Sequence, residues 1–265
     1  MRPSAHLEHL TVTKFTFYDT EATWDETLHE AYQSIDPRQR SHRIGSKRII
    51  AAAAFDVEIS AEGHIACEAI KSWTEYDVGD EPAIVGALFD HLRARPDRIA
   101  VGFGSVADDL PILTLAAMEA GLMLPSQFLP PQPGAFRSGR RMHLDLGLAL
   151  KGSGKTWHHL SEVCLRIGIP VDLLKGKITG SAPATAESWR NLRAHVELDT
   201  ALLAIATLAW QRTQGQACLD PTITALAVLD WLRRNGHLTE TKLTIVADTC
   251  RAFELDLLHA DKLAA

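Results

Sequence analysis

The sequence predicts an α/β fold, a mixed sheet flanked by helices, and two observations lead to this prediction. Strand-like segments come first, at roughly 14–19, 49–59 and 65–73, and the short link between the last two favours an antiparallel pair. From residue 81 onward, helical and strand-like patterns alternate, which is typical of strands joined by helices. Together they indicate a sheet that contains strands of both directions.

The first three strands are recognised by their composition. Three aromatic residues between positions 15 and 18 suit a pleated surface that is at least half buried. The apolar run 49–55 begins the second strand, and a glycine-containing turn at 61–63 separates it from the third. The polar and charged stretch 24–48 is predicted to form a loop or a short helix.

Helical spacing marks most of the remaining elements. Between residues 84 and 92 apolar side chains recur at helical positions, and Pro96 ends that helix. A short buried strand is expected at 99–103, and 143–146 is either a further strand or the start of a helix. The other predicted helices cover about 109–121, 156–167, 185–213, 220–235 and 239–259, and 171–184 is predicted to be a loop.

The composition is that of an ordinary globular protein, with 46% hydrophobic and 23% charged residues. The net charge of −6 argues against a uniformly basic nucleic-acid-binding protein, although it is compatible with a local basic groove beside an acidic metal site. Four widely spaced cysteines disfavour a structural zinc site or a disulfide framework and fit a reducing cytoplasm. Because we find neither a signal-peptide core nor an apolar stretch of membrane-spanning length, we expect a cytoplasmic protein without membrane contact.

Asp19 and Glu21 follow the aromatic residues of the first strand. Side chains two positions apart on a strand point to the same face, so these carboxylates project together from its end. Their repulsion must be offset, either by a shared proton or by a divalent cation with oxygen ligands. A single such pair is more often a solvated strand end, so acids elsewhere in the chain decide between these interpretations.

Two later segments supply further acids. Asp108 and Asp109 open a predicted helix; an N-cap role explains Asp108 and leaves Asp109 without a structural function. Asp199 lies in an apolar helical segment, where an unpaired carboxylate is costly, and it therefore needs a metal or a cationic partner. His195 is one helical turn earlier and shares the same helix face.

These blocks, in this order, resemble the DEDD superfamily of 3′–5′ exonucleases. More narrowly, the chain is similar to the predicted exonucleases related to the proofreading domain of B-family DNA polymerases, and the stretches 143–146, 160–163 and 168–170 support that likeness. The resemblance implies a ribonuclease H-like exonuclease domain over residues 12–213, followed by a C-terminal helical extension over residues 214–265.

The resemblance also implies a site for two divalent ions, Mg²⁺ or Mn²⁺, which favour hard oxygen donors. In such sites one ion activates a water molecule and the other stabilises the leaving 3′ oxygen. The residues that match the metal ligands of the family are Asp19, Glu21, Asp109 and Asp199. His195 stands where the narrower group has a tyrosine, and we expect it to orient the water or to act as a general base.

The expected substrate is the 3′ end of single-stranded DNA. Two alternatives stay open: an exoribonuclease that acts on short RNA through the same site, and a nucleic-acid-binding module that has the fold without turnover. The two helices of the extension show core-like periodicity, so they either pack on the domain or form a homodimer contact.

A basic cluster around Asp145 is a second candidate for contact with nucleic acid. Its members are Arg137, Arg140, Arg141, Lys151 and Lys155. Phosphate binding and a solvated loop explain this cluster equally well. Asp145 itself is interpreted as structural, and residues 157–159 are interpreted as packing at a helix start rather than as a base-stacking surface.

Overall fold

The aromatic segment near the start of the chain becomes the central strand of a five-stranded mixed sheet in the computed structural model. The strand order is β3-β2-β1-β4-β5; β2 is antiparallel to both of its neighbours, whereas β4 and β5 run parallel to β1. The strands are β1 (Thr13–Trp24), β2 (Lys47–Ile59), β3 (Ile65–Thr74), β4 (Ile99–Gly102) and β5 (His143–Asp145). The predicted fold class is confirmed, and this sheet is the ribonuclease H-like arrangement.

Helices cover both faces of the sheet. The structure describes residues 12–38, 40–60, 62–129, 142–151, 158–175, 182–216 and 219–264. Within these ranges the helices are α1 (Glu26–Ile35), α2 (Glu75–Val78), α3 (Glu81–Arg93), α4 (Asp109–Ala120), α5 (Leu146–Lys151), α6 (Leu160–Arg166), α7 (Val171–Leu174), α8 (Ala186–Thr213), α9 (Pro221–Asn235) and α10 (Glu240–Ala264). None of the helices in this part of the chain is both long and apolar enough to cross a membrane.

Alternate side chains of β1 serve two separate cores. Phe17 belongs to the core under α8 and α9, whereas Tyr18 belongs to the core under α3 and α4. Because strand side chains alternate between faces, Asp19 and Glu21 lie on the α8 face. Thr20, between them, lies on the α4 face. This alternation decides which helix can approach each acid.

The C-terminal extension packs on the rest of the molecule in the described structure. Leu229 and Leu232 of α9 and Val246 of α10 are fully buried in the same core as Phe17. This packing is one of the two arrangements considered for these helices. The homodimer contact and the domain boundary between residues 213 and 214 stay predictions.

The first strand is longer than predicted, and this changes the position of its two acids. Pairing with β2 continues to Trp24, past a register shift between Glu21 and Ala22. The sequence predicts Asp19 and Glu21 at the end of the strand, but both residues lie inside it. The polar composition after residue 19 does not predict that the strand continues, because this continuation depends on backbone pairing with β2.

Smaller differences occur near the two loops that follow β5. Segment 171–184, predicted to be a loop, begins with the one-turn helix α7. The helix predicted from residue 156 begins at Leu160, with His159 as its N-cap, and residues 152–157 lie outside the described part of the chain. For segment 143–146 we considered a strand or a helix start, and both occur: β5 ends at Asp145 and α5 begins at Leu146.

Candidate metal centre

Three of the predicted site residues come together although they are far apart in sequence. Glu21 of β1 and His195 and Asp199 of α8 each offer one ligand atom, and these atoms all lie within 4.8 Å of one another. The Nε2 atom of His195 is 3.4 Å from Glu21 Oε1 and 3.6 Å from Asp199 Oδ2. We call these three residues the α8 half of the site.

Small residues of β2 allow α8 to approach the acid-bearing face of β1. In the β1–β2 register Asp19 is opposite Ala53 and Glu21 is opposite Ala51. Both alanines are fully buried and pack against Leu192, one turn before His195 on α8. A larger side chain at either alanine position would lift the helix away from the strand, so the alanine run in β2 helps to assemble the site.

The charges of the α8 half partly compensate one another. Burial acts to lower the pKa of His195, but the hydrogen bond to Glu21 and the charges of Asp199 and Glu21 outweigh it. The pKa of His195 is therefore raised above its ordinary value of 6.5. The two carboxylates thus favour the charged form of the His195 imidazole.

Asp19 is outside the group of three. Strand alternation places it on the same face of β1 as Glu21, one pleat nearer to the centre of the sheet. It is half-buried there. Among the described residues, the atoms that satisfy the mutual 4.8 Å distance belong to Glu21, His195 and Asp199 alone.

Asp109 approaches β1 from the other side of the sheet. It is the first residue of α4, and its Oδ1 atom accepts a hydrogen bond from the Thr20 hydroxyl. Burial raises the pKa of this carboxyl to about 7; the bond from Thr20 lowers it, and the charges of Asp108 and Glu21 raise it. Asp109 and Thr20 form what we call the α4 half of the site. The charge of Glu21 reaches Asp109, so the two halves are neighbours electrostatically.

The structure corrects the role predicted for Asp108. This residue stands at the N-cap position of α4, but its side chain makes no capping hydrogen bond. Instead, Asp108 Oδ1 accepts a bond from Lys47 Nζ at 2.7 Å. The cap prediction considered only the local sequence, whereas Lys47 reaches Asp108 from the start of β2.

Asp145 has the structural role predicted for it. Its buried carboxylate accepts backbone N–H bonds from Gly104 and Val106 in the loop before α4, at 2.8 and 2.9 Å, and from Leu148 in α5 at 2.9 Å. A Cβ atom on Gly147 would lie 2.6 Å from the Gly104 nitrogen, so α5 and this loop meet closely. Asp145 thus holds the loop that leads into Asp109.

Sequence reasoning missed Thr20 as a partner of the site. Strand alternation predicts that Thr20 faces the opposite side of the sheet from Asp19 and Glu21, but the position of α4 is needed to identify Asp109 as its partner.

Of the basic cluster around Asp145, Lys151 lies within the described residues and is half-buried. The other four basic residues of the Asp145 cluster, and Trp157, lie outside the described residues. His159 accepts a bond from the Ser161 N–H at the start of α6, which agrees with the predicted helix-start role.

Comparison with known proteins gives similarities of structure only. No protein-family model matches the chain, and no curated protein sequence matches it. The family B DNA polymerase of Pyrobaculum calidifontis is 15% identical, with a TM-score of 0.44 over 84% of this chain and 29% of its own. Exonuclease I with bound product is 12% identical, with a TM-score of 0.38 over 76% of this chain and 46% of its own. The zinc-bound E. coli exonuclease I–single-stranded DNA complex is 13% identical, with a TM-score of 0.37 over 83% of this chain and 43% of its own.

The chain therefore spans less than half the length of these proteins. The function proposed below depends on the geometry of the site rather than on these similarities.

Proposed function

We propose that the protein is a metal-dependent 3′–5′ exonuclease that hydrolyses the terminal phosphodiester bonds of single-stranded DNA. The observation that carries this proposal is the convergence of Glu21, His195 and Asp199 within 4.8 Å. Two carboxylates at this spacing, with an imidazole between them, offer oxygen donors of the kind that divalent cations bind. The ordered resemblance to the DEDD superfamily specifies which chemistry such a site would serve.

The donor set fits the divalent ions that the resemblance implies. Asp19, Glu21, Asp109 and Asp199 would hold Mg²⁺ or Mn²⁺ through oxygen atoms, the ligands that these ions prefer. When bound, two such ions supply Lewis-acid activation of water and stabilisation of the leaving oxygen. The raised pKa of Asp109 supports the fit, since burial outweighs the charge of Lys47 there and a bound cation would favour the charged form of this carboxyl.

His195 is proposed to handle the proton of the attacking water. Its ring is buried against Glu21 and Asp199, so the imidazole has a fixed position beside the proposed ligands. The neutral form accepts a proton from water, and the two carboxylates stabilise the imidazolium that results. For this role, the attacking water has to lie between the His195 ring and the phosphorus atom of the substrate.

The test is a cleavage assay with end-labelled single-stranded oligonucleotides of DNA and of RNA. With a 5′ label and Mg²⁺ or Mn²⁺ we expect a ladder of products shortened from the 3′ end, and no products in EDTA. Release of the 5′ label as a mononucleotide would contradict the direction. Preferential cleavage of RNA would favour the exoribonuclease alternative, and binding without cleavage would favour a module without turnover.

A further inference from the structure

A large cavity lies between α8 and the C-terminal extension. Its volume is about 1330 Å³, which exceeds the roughly 300–1,000 Å³ of pockets for single small molecules. Its walls come from the first half of α8, from α7 and from the start of α10, and include Arg190, Asn191, Leu198 and Lys242. The size and the elongated set of lining elements suit a segment of a polymer rather than a compact metabolite.

The cavity runs alongside the catalytic face of α8. Asn191, which lines it, is one turn before His195 and two turns before Asp199 on the same helix face. With a rise of about 1.5 Å per residue, Asn191 and Asp199 are roughly 12 Å apart along the axis. Leu198, which also lines the cavity, is adjacent to Asp199 in sequence, so this end of the cavity lies one helix position from the α8 half, whose three residues do not themselves line it.

Lys242 of the extension brings a positive charge to that end. It lies on the first turn of α10 and is half-buried. Its charge acts on both Asp199 and His195, so Lys242 contributes to the electrostatics of the α8 half. Burial lowers the pKa of Lys242, while Asp199 raises it. A partly desolvated ammonium group is costly unless it has an anionic partner. In the proposed enzyme Asp199 is shared with a metal ion, so a phosphate of the substrate is a suitable further partner.

The acids that line the cavity are arranged differently from Lys242. Asp172, Glu187, Glu240 and Asp248 are all exposed, so they lie towards the rim, and two of them are paired, Asp172 with Lys175 at 2.7 Å and Asp248 with Arg251 at 3.0 Å. Arg190 is exposed on α8 and makes no ion pair with any residue that the structure describes. Lys242 at the inner end and Arg190 at the rim give the cavity two cations, whereas the lining residues Lys175 and Arg193 pair with Asp172 and Asp77.

We propose that this cavity binds the terminal nucleotides of the single strand, and that Lys242 and Arg190 contact its phosphates. The inference rests on the proposed function and gives the C-terminal extension a part in the same site. Lys242 is then a phosphate-binding residue contributed from outside the exonuclease domain.

The test is the salt dependence of binding, measured on the full chain with a fluorescent oligothymidylate in EDTA, so that no cleavage occurs. For Lys242→Met we expect a dissociation constant about fivefold higher at moderate salt. The slope of log K against log salt should fall by about 0.7, the value for one phosphate contact to a single strand. Lys242→Arg should restore both, since it keeps the positive charge. A loss of packing alone would not change the slope.

The matched control is Lys71→Met, because Lys71 is exposed on β3 and is not among the residues that line the cavity. It shares a sheet face with Trp73, two positions later, and that face is the one covered by α3. It should bind as the unmodified chain does. Wild-type slope and affinity in Lys242→Met would overturn the inference. If Lys242→Met does not fold, Arg190→Gln at an exposed position tests the same cavity, and an unchanged slope there would also overturn it.

The outcome separates this inference from the proposed function. A chain that binds with a Lys242-dependent slope but never cleaves supports the cavity and contradicts the nuclease proposal. A chain that cleaves in Mn²⁺ while Lys242→Met leaves KM and the slope unchanged supports the nuclease and overturns the cavity. No binding of the oligonucleotide by the unmodified chain would overturn the inference directly.

Discussion

The two halves of the proposed site differ in how their negative charge is balanced. In the α8 half, two carboxylates flank an imidazole, and the hydrogen bond to Glu21 together with the two negative charges raises its pKa despite burial. In the α4 half, Asp109 has a hydroxyl partner, and burial raises its pKa to about 7. The comparison shows that the α8 half has a titratable group of opposite charge between its carboxylates, whereas the carboxyl of the α4 half has a hydroxyl partner and a pKa of about 7.

The largest expected effect comes from removing a ligand of the α8 half. Asp199→Asn keeps the shape of the side chain and removes its charge, so we expect kcat/KM to fall by about 10³-fold, as for loss of a group that stabilises the transition state electrostatically. The measurement is steady-state cleavage of a 5′-labelled oligonucleotide in Mn²⁺. Asp256→Asn, at an exposed position on α10, is the matched control. Equal activity in the two variants would remove Asp199 from the site.

A smaller loss of activity is expected when the support of the α4 half is removed. Asp145→Ala leaves three backbone N–H groups without their acceptor, and we expect the free energy of unfolding to fall by about 2–4 kcal/mol. Activity should fall roughly tenfold to a hundredfold, because the loop before Asp109 is no longer held in position. Urea unfolding and the cleavage assay check both effects. Loss of activity with unchanged stability would contradict the structural role of Asp145.

The protonation of the α4 half predicts how metal binding depends on pH. Since a cation must displace the proton of Asp109, the apparent Mn²⁺ affinity should rise with pH. The contribution of Asp109 to this rise should end above a pH of about 7. Below that value the affinity should fall by about tenfold per pH unit for each proton released. Calorimetric titrations between pH 5.5 and about 8 measure this. In Asp109→Asn the slope should decrease by about one proton, and an unchanged slope would contradict the assignment.

The smallest expected effect comes from removing the Thr20 hydroxyl, which donates a hydrogen bond to Asp109 within the α4 half. Thr20→Val is nearly isosteric and removes the bond that lowers the pKa of Asp109. We therefore expect Mn²⁺ affinity at neutral pH to fall by about threefold. Thr23→Val is the control, because Thr23 is on the same strand and its side chain makes no hydrogen bond with the described residues. Equal affinity in both variants would show that Thr20 does not influence the site.

Much of the fold could be predicted because it depends on local patterns. The aromatic β1, the apolar β2 and the helical periodicity of α3 and α8 are each visible within about a dozen residues. The acids at 19 and 21 are on one face of β1, as strand alternation requires. Their place inside the strand was missed, because the pairing of β1 beyond residue 21 is made with β2 rather than by the side chains of β1 itself.

The contacts of the site were harder to predict, since they join distant segments. Helical spacing relates His195 to Asp199, but it does not show that Glu21 reaches the same imidazole. Asp108 was assigned a cap from its neighbours alone, whereas its partner, Lys47, is 61 positions away in sequence. Lys242 has no local feature that distinguishes it from other helix lysines. Its influence on Asp199 depends on how α10 packs against α9 and α7.

The central claim is that distant carboxylates form a common cation site, and diffraction from crystals soaked in Mn²⁺ tests it most directly. Anomalous scattering identifies manganese independently of water. We predict a manganese peak with Glu21 and Asp199 oxygens among its ligands, and its absence in Asp199→Asn crystals treated in the same way. Crystals without a manganese peak between these two carboxylates would contradict the account.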